Sequence, residues 1–195
     1  MAGIGHNSGR VVEPGKSWRK HVWTKARRDL MPTLPLEVVR MRVRRAAELG
    51  LPYKTYAGIR ASSGHDLIGF LFSSNALRVM TDAQQIPKER AMKLCSLRNT
   101  KCPALAHRPV TPEHLATQPG IDQAYAAPQF AQSWRLTRDQ LWSAFIAMGK
   151  PAGRFVMIGD MTLERDWAEA AQLAGYLSAA DFFGEDGSIP VLHTN

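Results

Sequence analysis

The sequence predicts an α/β protein in which a basic helical N-terminal part precedes a three-layer domain with a small, mostly parallel sheet. Two apolar runs predict the sheet. Leu67–Phe72 and Phe155–Ile158 have strand length and no polar alternation, which is typical of strands buried on both faces. Amphipathic segments alternate with these runs, as they do in βαβ units. The distribution of positive charge predicts the basic N-terminal part.

Nearly all of the excess positive charge lies in the first third of the chain. The 195 residues carry a formal net charge of +8. Residues 1–60 contain 13 lysines and arginines and four acids, whereas residues 61–195 contain 12 bases and 13 acids. Clustered cations gain free energy when they displace counterions from a polyanion, so this asymmetry predicts DNA or RNA as the partner. The alternatives are an acidic protein partner or a solvated face that binds nothing.

Composition argues against several other classes of protein. No apolar run approaches the roughly 18 residues that a membrane span needs, and residues 1–15 lack the apolar core of a secretory signal. Cys95 and Cys102 form neither a disulfide framework nor a metal-binding pattern. We therefore expect a cytoplasmic protein with reduced thiols and no membrane contact. The N-terminal GIGHNSG resembles a leader found on many otherwise unrelated alphaproteobacterial proteins, which implies a bacterial source.

The chain divides into four predicted segments. Residues 1–16 are glycine-rich and polar, and we expect a flexible leader. Residues 17–61 form a basic helical segment. In it Ser17 suits an N-cap, and the prolines at 32 and 35 separate a first helix, which carries Arg27 and Arg28, from a second. Residues 62–184 form the α/β domain, and residues 185–195 form a loose tail.

The second basic helix is predicted to run from Leu36 to Gly50. Pro35 suits a helix start because its missing N–H would have no partner there, and Glu37 lies where the helix dipole favours an acid. Gly50 can close the helix in a left-handed conformation. The positions predicted to form one buried stripe are Leu36, Val39, Val43, Ala46 and Ala47.

The residues after this helix allow two interpretations. Ala46, Gly50, Tyr56 and Ile59 have the spacing A-x3-G-x5-Φ-x2-Φ, which resembles a helix-turn-helix. That resemblance implies an outward-facing second helix that contacts bases or phosphates. Alternatively, residues 53–60 contain good strand formers and could pair with residues 66–73 in a hairpin. The predicted nucleic-acid-binding residues are Arg27, Arg28, Arg42, Arg44, Arg45, Tyr53, Lys54, Thr55 and Arg60.

The rest of the α/β domain follows from proline positions, caps and apolar periodicity. Helices are predicted at 87–97, 111–118, 136–148 and 162–175, and a short strand at 102–107. Residues 119–132 are predicted to be a loop. Ser73-Ser74-Asn75 follow the first buried strand, where open α/β sheets place ligand contacts, although they could instead cap the next helix. His107 and His114 are isolated in the sequence and are predicted to be structural.

Residues 155–176, FVMIGDMTLERDWAEAAQLAGY, resemble the last motif of haloacid-dehalogenase-like phosphatases. They contain a buried strand, Gly-Asp, another acid one turn later, and an alanine-rich helix ending in Ala-Gly-Tyr. The resemblance implies a phosphotransfer site in which carboxylates hold Mg²⁺ at the carboxyl edge of the sheet. The residues that it assigns are Asp160 and Glu164 (or Asp166) as metal ligands, Ser73 as the phosphate-binding hydroxyl, and Lys88 or Lys93 as the charge-neutralising lysine.

One part of that family's machinery is missing from the sequence. The family's first strand ends in D-x-D, and the first aspartate is the covalent nucleophile. Before Ser73 the chain has only Asp29 and Asp66, and neither belongs to such a pair. The leading hypothesis is therefore a nucleic-acid-binding protein, regulatory or associated with a mobile element, for which the sequence favours no enzymatic activity and predicts no cofactor. The alternatives are a Mg²⁺-dependent phosphotransfer enzyme or its decayed relative, and an accessory subunit that docks on an acidic protein.

Overall fold

The computed structural model describes residues 34–184. The predicted leader, the first basic helix with Arg27 and Arg28, and the tail lie outside the described residues. The chain separates into two compact units, Met1–Val39 and Arg40–Asn195, so the boundary falls within the first described helix.

Helices and strands alternate along the second unit. The helices are α1 (Leu36–Glu48), which begins in the first unit, α2 (Tyr53–Ser63), α3 (Lys88–Ser96), α4 (Pro112–Ala116), α5 (Trp134–Met148), α6 (Thr162–Ala170) and α7 (Ala179–Phe183). The strands are β1 (Gly69–Ser73), β2 (Pro103–Ala106), β3 (Gln123–Ala126), β4 (Phe155–Gly159) and β5 (Gly175–Ser178). A short 3-10 turn, Ala152–Arg154, leads into β4.

All five strands are parallel, in the order β3-β2-β1-β4-β5. The α/β class predicted from the sequence is therefore confirmed. The strand order reverses at β1, which pairs with β2 on one side and β4 on the other. In open α/β sheets, ligands bind outside the carboxyl ends of the strands at such a reversal. We refer to that end of the sheet as the carboxyl edge and to the opposite end as the amino edge.

The sheet is buried on both faces, which gives the three predicted layers. Phe70 and Phe72 of β1 pack in one apolar cluster with residues of α1, α2, α3, α4 and α7. Leu71, between them, packs in a second cluster with residues of α5 and α6. Successive strand residues point to opposite faces, so a strand that is covered on both sides must be apolar throughout. This is why the apolar runs predicted β1 and β4 correctly.

Gly69 lets the backbones of β1 and the β2 connection approach closely. The Phe70 N–H donates to the Lys101 carbonyl (2.9 Å), and the Lys101 N–H donates to the Ile68 carbonyl (3.0 Å). A Cβ atom added to Gly69 would lie 2.0 Å from the Lys101 carbonyl oxygen. Only glycine fits at this position, because the clashing atom belongs to backbone that is fixed by its own hydrogen bonds.

The predicted α1 helix is confirmed, but part of its predicted apolar stripe is wrong. Leu36 and Val43 are 62% and 47% exposed and Ala47 is also exposed, whereas Ala46 is buried. The guanidinium of Arg45 donates to the carbonyls of Leu67 (2.8 Å) and Asn99 (3.2 Å), so the face that bears Arg45 turns toward the domain. The hydrogen bonds from Arg45 to the carbonyls of Leu67 and Asn99 therefore orient this face of α1 toward the domain.

Residues 53–60 are helical, so the hairpin alternative is wrong. Tyr56 is almost fully buried, and its hydroxyl donates to the Asp66 carboxylate (2.7 Å). The helix α2 ends at Gly64, which has a φ of 74°. Tertiary packing of Tyr56 has outweighed the strand preference of the aromatic and β-branched residues.

The second half of the domain contains elements that the apolar pattern did not predict. The predicted loop at 119–132 contains β3, an edge strand whose side chains are only half-buried or exposed. The helix predicted at 162–175 ends at Ala170, and the next residues form β5 and α7. The side chains of β3 are incompletely covered, so this strand does not need a continuous apolar run. No helix in the part of the chain that the structure describes is long and apolar enough to cross a membrane.

Candidate functional site

Two of the predicted nucleic-acid-binding arginines are used by the fold. Besides its two carbonyl acceptors, Arg45 forms an ion pair with Glu48, with 2.8 Å between Nη1 and Oε2. The Nη1 atom of Arg60 lies 3.4 Å from an Asp66 carboxylate oxygen. These contacts hold α1 and α2 onto the start of β1. Sequence reasoning could not separate them from solvent-facing cations, because their partners lie elsewhere in the chain.

The remaining predicted residues of the helix pair differ in exposure. Arg44, Tyr53 and Lys54 are exposed, whereas Arg42 and Thr55 are half-buried. The Nε atom of Arg42 is buried and has no hydrogen-bond partner in the described structure. The helices α1 and α2 are joined by residues 49–52. Gly50, at a φ of 62°, makes the turn. Among the predicted cations in residues 34–184, Arg44 and Lys54 are therefore the two that are exposed.

Four further cations, which sequence reasoning missed, gather at the amino edge. Arg98 and Lys101 lie in the connection that enters β2, and Lys150 and Arg154 lie in the connection that enters β4. All four are exposed. We call them the amino-edge basic surface. They lie outside the predicted cationic third of the chain, and only the parallel sheet brings their two connections together.

Backbone hydrogen bonds place these connections side by side. The Ile68 N–H donates to the Arg154 carbonyl (2.8 Å), and the Lys101 N–H donates to the Ile68 carbonyl (3.0 Å). The Arg98 N–H donates to the Glu48 carbonyl (3.0 Å) at the end of α1. The amino-edge basic surface therefore adjoins the helix that carries Arg44.

The acids of the amino edge only partly offset the charge of this surface. Connections that enter the strands carry these four cations and two acids, Asp66 and Asp122, whereas connections that leave the strands carry two cations and two acids. Asp66 is engaged by Tyr56 and by arginines of α1 and α2, and Asp122 accepts the Cys102 N–H (2.6 Å). Within residues 34–184, none of the four cations forms an ion pair with a carboxylate.

A cavity of about 260 Å³ opens at the same edge. It lies at the starts of β2, β3 and β4 and beside the end of α5. Its lining residues are Lys101, Pro103, Asp122, Gln123, Met148, Lys150 and Phe155. Two members of the amino-edge basic surface thus border a recess with an apolar component.

The carboxyl edge is organised around the buried carboxylate of Glu164. This residue lies in the first turn of α6 and has no exposed surface. Its Oε2 atom accepts the backbone N–H groups of Asp160 (2.6 Å) and Met161 (3.0 Å). Its Oε1 atom lies 2.8 Å from Nε2 of His107 and 3.2 Å from Nδ2 of Asn75. Glu164 therefore joins the ends of β1, β2 and β4.

Glu164 stays ionised because its hydrogen bonds outweigh its burial. Burial raises the pKa of a carboxyl group, but donation from His107, the Asp160 N–H, Ser73 and the Met161 N–H brings the pKa of Glu164 below its usual value. The His107 ring also stacks on Trp167, with 5.0 Å between ring centroids. His107 looks isolated in the sequence, yet the fold places it against a carboxylate 57 positions away.

The residues at the carboxyl edge do not fit the Mg²⁺ ion that the phosphatase resemblance implies. Mg²⁺ requires nearly octahedral oxygen coordination. The Asp160 carboxylate is paired with Arg78, with 2.5 Å between Nη1 and Oδ2, and both Glu164 oxygens accept hydrogen bonds from nitrogen donors. Asp166 is exposed on α6. Across residues 34–184, no group of three His, Cys, Asp or Glu side chains is placed to hold a metal.

The other residues assigned by the resemblance are only partly brought together. Ser73 is fully buried at the end of β1, near Glu164, and its hydroxyl accepts the Ala76 N–H (3.0 Å). Lys88 is exposed in the first turn of α3. Lys93 donates to the Phe182 carbonyl and lies 4.5 Å from the centre of the Phe182 ring, so it does not serve the carboxyl edge as a free cation.

No protein-family model, curated protein or solved structure matches this chain. Functional inference therefore depends on the geometry and charge of the two edges of the sheet.

Proposed function

We propose that the protein binds nucleic acid through the amino-edge basic surface, with Arg44 and Lys54 as further phosphate contacts. The observation that carries this proposal is the placement of four exposed cations and only two acids on one edge of the sheet. Phosphate contacts by such cations release counterions, which supplies most of the sequence-independent affinity for a polyanion.

A salt titration of binding tests the proposal. Full-length protein is titrated against labelled 20-nucleotide single strands and duplexes, and log K is plotted against log salt concentration. Changing Arg98, Lys101, Lys150 and Arg154 together to alanine should weaken binding at least about tenfold and reduce the slope by roughly 2 to 4. The reason is that each lost phosphate contact removes about one released counterion.

A control variant that loses the same number of charges at the carboxyl edge shows whether the loss of binding is specific to the amino-edge basic surface. Lys88, Arg108, Arg135 and Arg165 are also exposed and lie after strands or in the first turns of helices. Changing these four to alanine should leave most of the affinity and slope intact. Equal effects of the two quadruple variants would contradict a defined interface. Binding to polyglutamate but to no nucleic acid would instead favour an acidic protein partner.

The opposite edge favours a second proposal, that a phosphotransfer site there has decayed. The first strand ends at Ser73 and is followed by Ser74 and Asn75, so it supplies no aspartate pair of the D-x-D kind that the phosphatase resemblance requires. Arg78 pairs with Asp160, the residue that the resemblance assigns to the metal. The covalent mechanism of that family needs a carboxylate as the nucleophile. Neither Ser73, which is fully buried, nor Asn75 provides one.

A phosphatase assay tests this second proposal. With Mg²⁺ and a generic phosphomonoester, the purified protein should release no more phosphate than an Asp160→Asn variant does. Melting temperatures of the two proteins, measured in parallel, establish that both are folded. Phosphate release by the unchanged protein that Asp160→Asn abolishes would show an active site instead.

A further inference from the structure

The amino-edge cavity has the size and lining of a site for one small group. Pockets for drug-sized ligands enclose roughly 300–1,000 Å³, so a cavity of about 260 Å³ suits a smaller group. Pro103, Met148 and Phe155 form the apolar part of the lining; Met148 is half-buried, whereas Pro103 and Phe155 are buried. Lys101 and Lys150 border the cavity as exposed ammonium groups. An apolar recess flanked by cations matches a nucleobase with its neighbouring phosphates outside.

The polar lining favours a base rather than a phosphate inside the cavity. Asp122 contributes a carboxylate, which would repel an anion. One of its oxygens, Oδ2, accepts the Cys102 N–H, and Oδ1 has no hydrogen-bond donor among the described residues. The amide oxygen of Gln123 accepts the Tyr125 hydroxyl (2.7 Å), which leaves the amide NH₂ group as a donor. An acceptor next to a donor is complementary to a base edge that carries an amino group and a ring nitrogen or carbonyl.

The Cys102 thiol takes no part in this lining as an anion. Burial, followed by the neighbouring Asp122 carboxylate, raises the pKa of Cys102 to about 12. At neutral pH the residue is a neutral thiol whose backbone N–H fixes Asp122. The carboxylate of Asp122 is therefore the anionic acceptor of the cavity.

We infer that the cavity receives one unpaired base with an exocyclic amino group from a single-stranded nucleic acid. This inference rests on the proposed nucleic-acid binding and specifies the kind of nucleic acid. Asp122 accepts a hydrogen bond from the amino group, the Gln123 amide donates to the adjacent acceptor, and Lys101 and Lys150 contact the flanking phosphates. A paired base cannot present this edge, because its Watson–Crick groups are already used. Thymine and uracil lack the amino group.

Binding of homopolymers tests the inference. Fluorescence anisotropy of the full chain with labelled 12-nucleotide oligo(dC) and oligo(dT) at one salt concentration should show oligo(dC) bound roughly 5- to 100-fold more tightly. An unlabelled duplex of equal length should compete less well than oligo(dC). The variant Asp122→Asn keeps an oxygen for the Cys102 N–H but lacks the anionic acceptor, so the preference for oligo(dC) should disappear.

Controls separate this inference from nucleic-acid binding itself. Asp139→Asn removes one exposed negative charge from α5, away from the cavity, and should change oligo(dC) and oligo(dT) binding equally. Gln123→Ala replaces Asp122→Asn if the latter fails to fold. Equal binding of the two homopolymers, or an unchanged preference in the cavity variant, overturns the base site and leaves the proposed function standing. Absence of binding to every oligonucleotide overturns the proposed function as well.

Discussion

Replacing Glu164 with alanine is expected to lower the free energy of unfolding by roughly 3–5 kcal/mol. The carboxylate is fully buried and accepts from two backbone N–H groups and from the side chains of His107 and Asn75. Its removal leaves these donors without the acceptor that they share at a fully buried position. For a chain of this size, the melting temperature should fall by roughly 6–20 °C, measured by calorimetry.

Two further variants show whether the lost hydrogen bonds cause this decrease in the free energy of unfolding. Glu164→Gln keeps one acceptor oxygen and turns an amide NH₂ group toward donors, so it should cost roughly 1–3 kcal/mol. Glu169→Gln changes an exposed acid on the same helix and should stay within about 0.5 kcal/mol of the unchanged protein. A loss on Glu164→Ala no larger than that on Glu169→Gln would contradict the structural role given to this carboxylate.

The contribution of Glu164 should also depend on pH in a defined direction. Its pKa in the folded protein is below the usual value, which is about 4.3 in an unfolded chain. The unfolded chain therefore takes up the proton first as pH falls. The stabilisation is fully present above about pH 5 and is lost as pH falls through the folded pKa. The stability difference between the unchanged protein and Glu164→Gln should accordingly narrow below about pH 4.3.

Changing Gly69 to alanine is expected to cost roughly 3 kcal/mol or more and to lower the yield of folded protein. The added Cβ would lie 2.0 Å from the Lys101 carbonyl oxygen and 2.7 Å from its carbonyl carbon. Moving Lys101 away would break its hydrogen bonds with Ile68 and Phe70, which join β1 to the connection that enters β2. Chemical denaturation of the purified variant measures the loss.

Gly58 provides the matched control for Gly69. A Cβ at Gly58, on the exposed side of α2, would meet no atom within 4 Å. Gly58→Ala should therefore stabilise the protein by up to roughly 1 kcal/mol, because alanine favours the helix. If both variants were equally tolerated, the close approach of β1 to Lys101 would be wrong.

Much of the fold was predictable because it depends on local rules. The strands β1 and β4 are buried on both faces, so each appears as an unbroken apolar run. Helix α5 follows Ser133, whose side chain accepts the Leu136 N–H, and ends at Gly149 with a φ of 62°. Helix α4 has a threonine cap followed by proline. In each case the signal lies within a few residues of the element that it predicts.

The elements that were mispredicted are those whose environment is set at long range. The edge strand β3 pairs only with β2, and its side chains are only half-buried or exposed, so it lacks the apolar run of an inner strand. The helical state of Tyr56 depends on burial in the core and on Asp66, ten positions later. The rotation of α1 depends on carbonyls that Arg45 reaches at Leu67 and Asn99. Periodicity within α1 contains no information about those carbonyls.

The sequence by itself determined the α/β class, the buried inner strands, most helix starts and the excess of positive charge. Only the tertiary structure decided which cations remain available, because Arg45 and Arg60 find partners through the fold whereas Arg98, Lys101, Lys150 and Arg154 are brought to one edge by parallel strand pairing. It likewise decided that Glu164 meets His107. The charge and hydrophobicity of each residue can be read from the sequence, but contacts between residues that are far apart in the chain are set only when the chain packs.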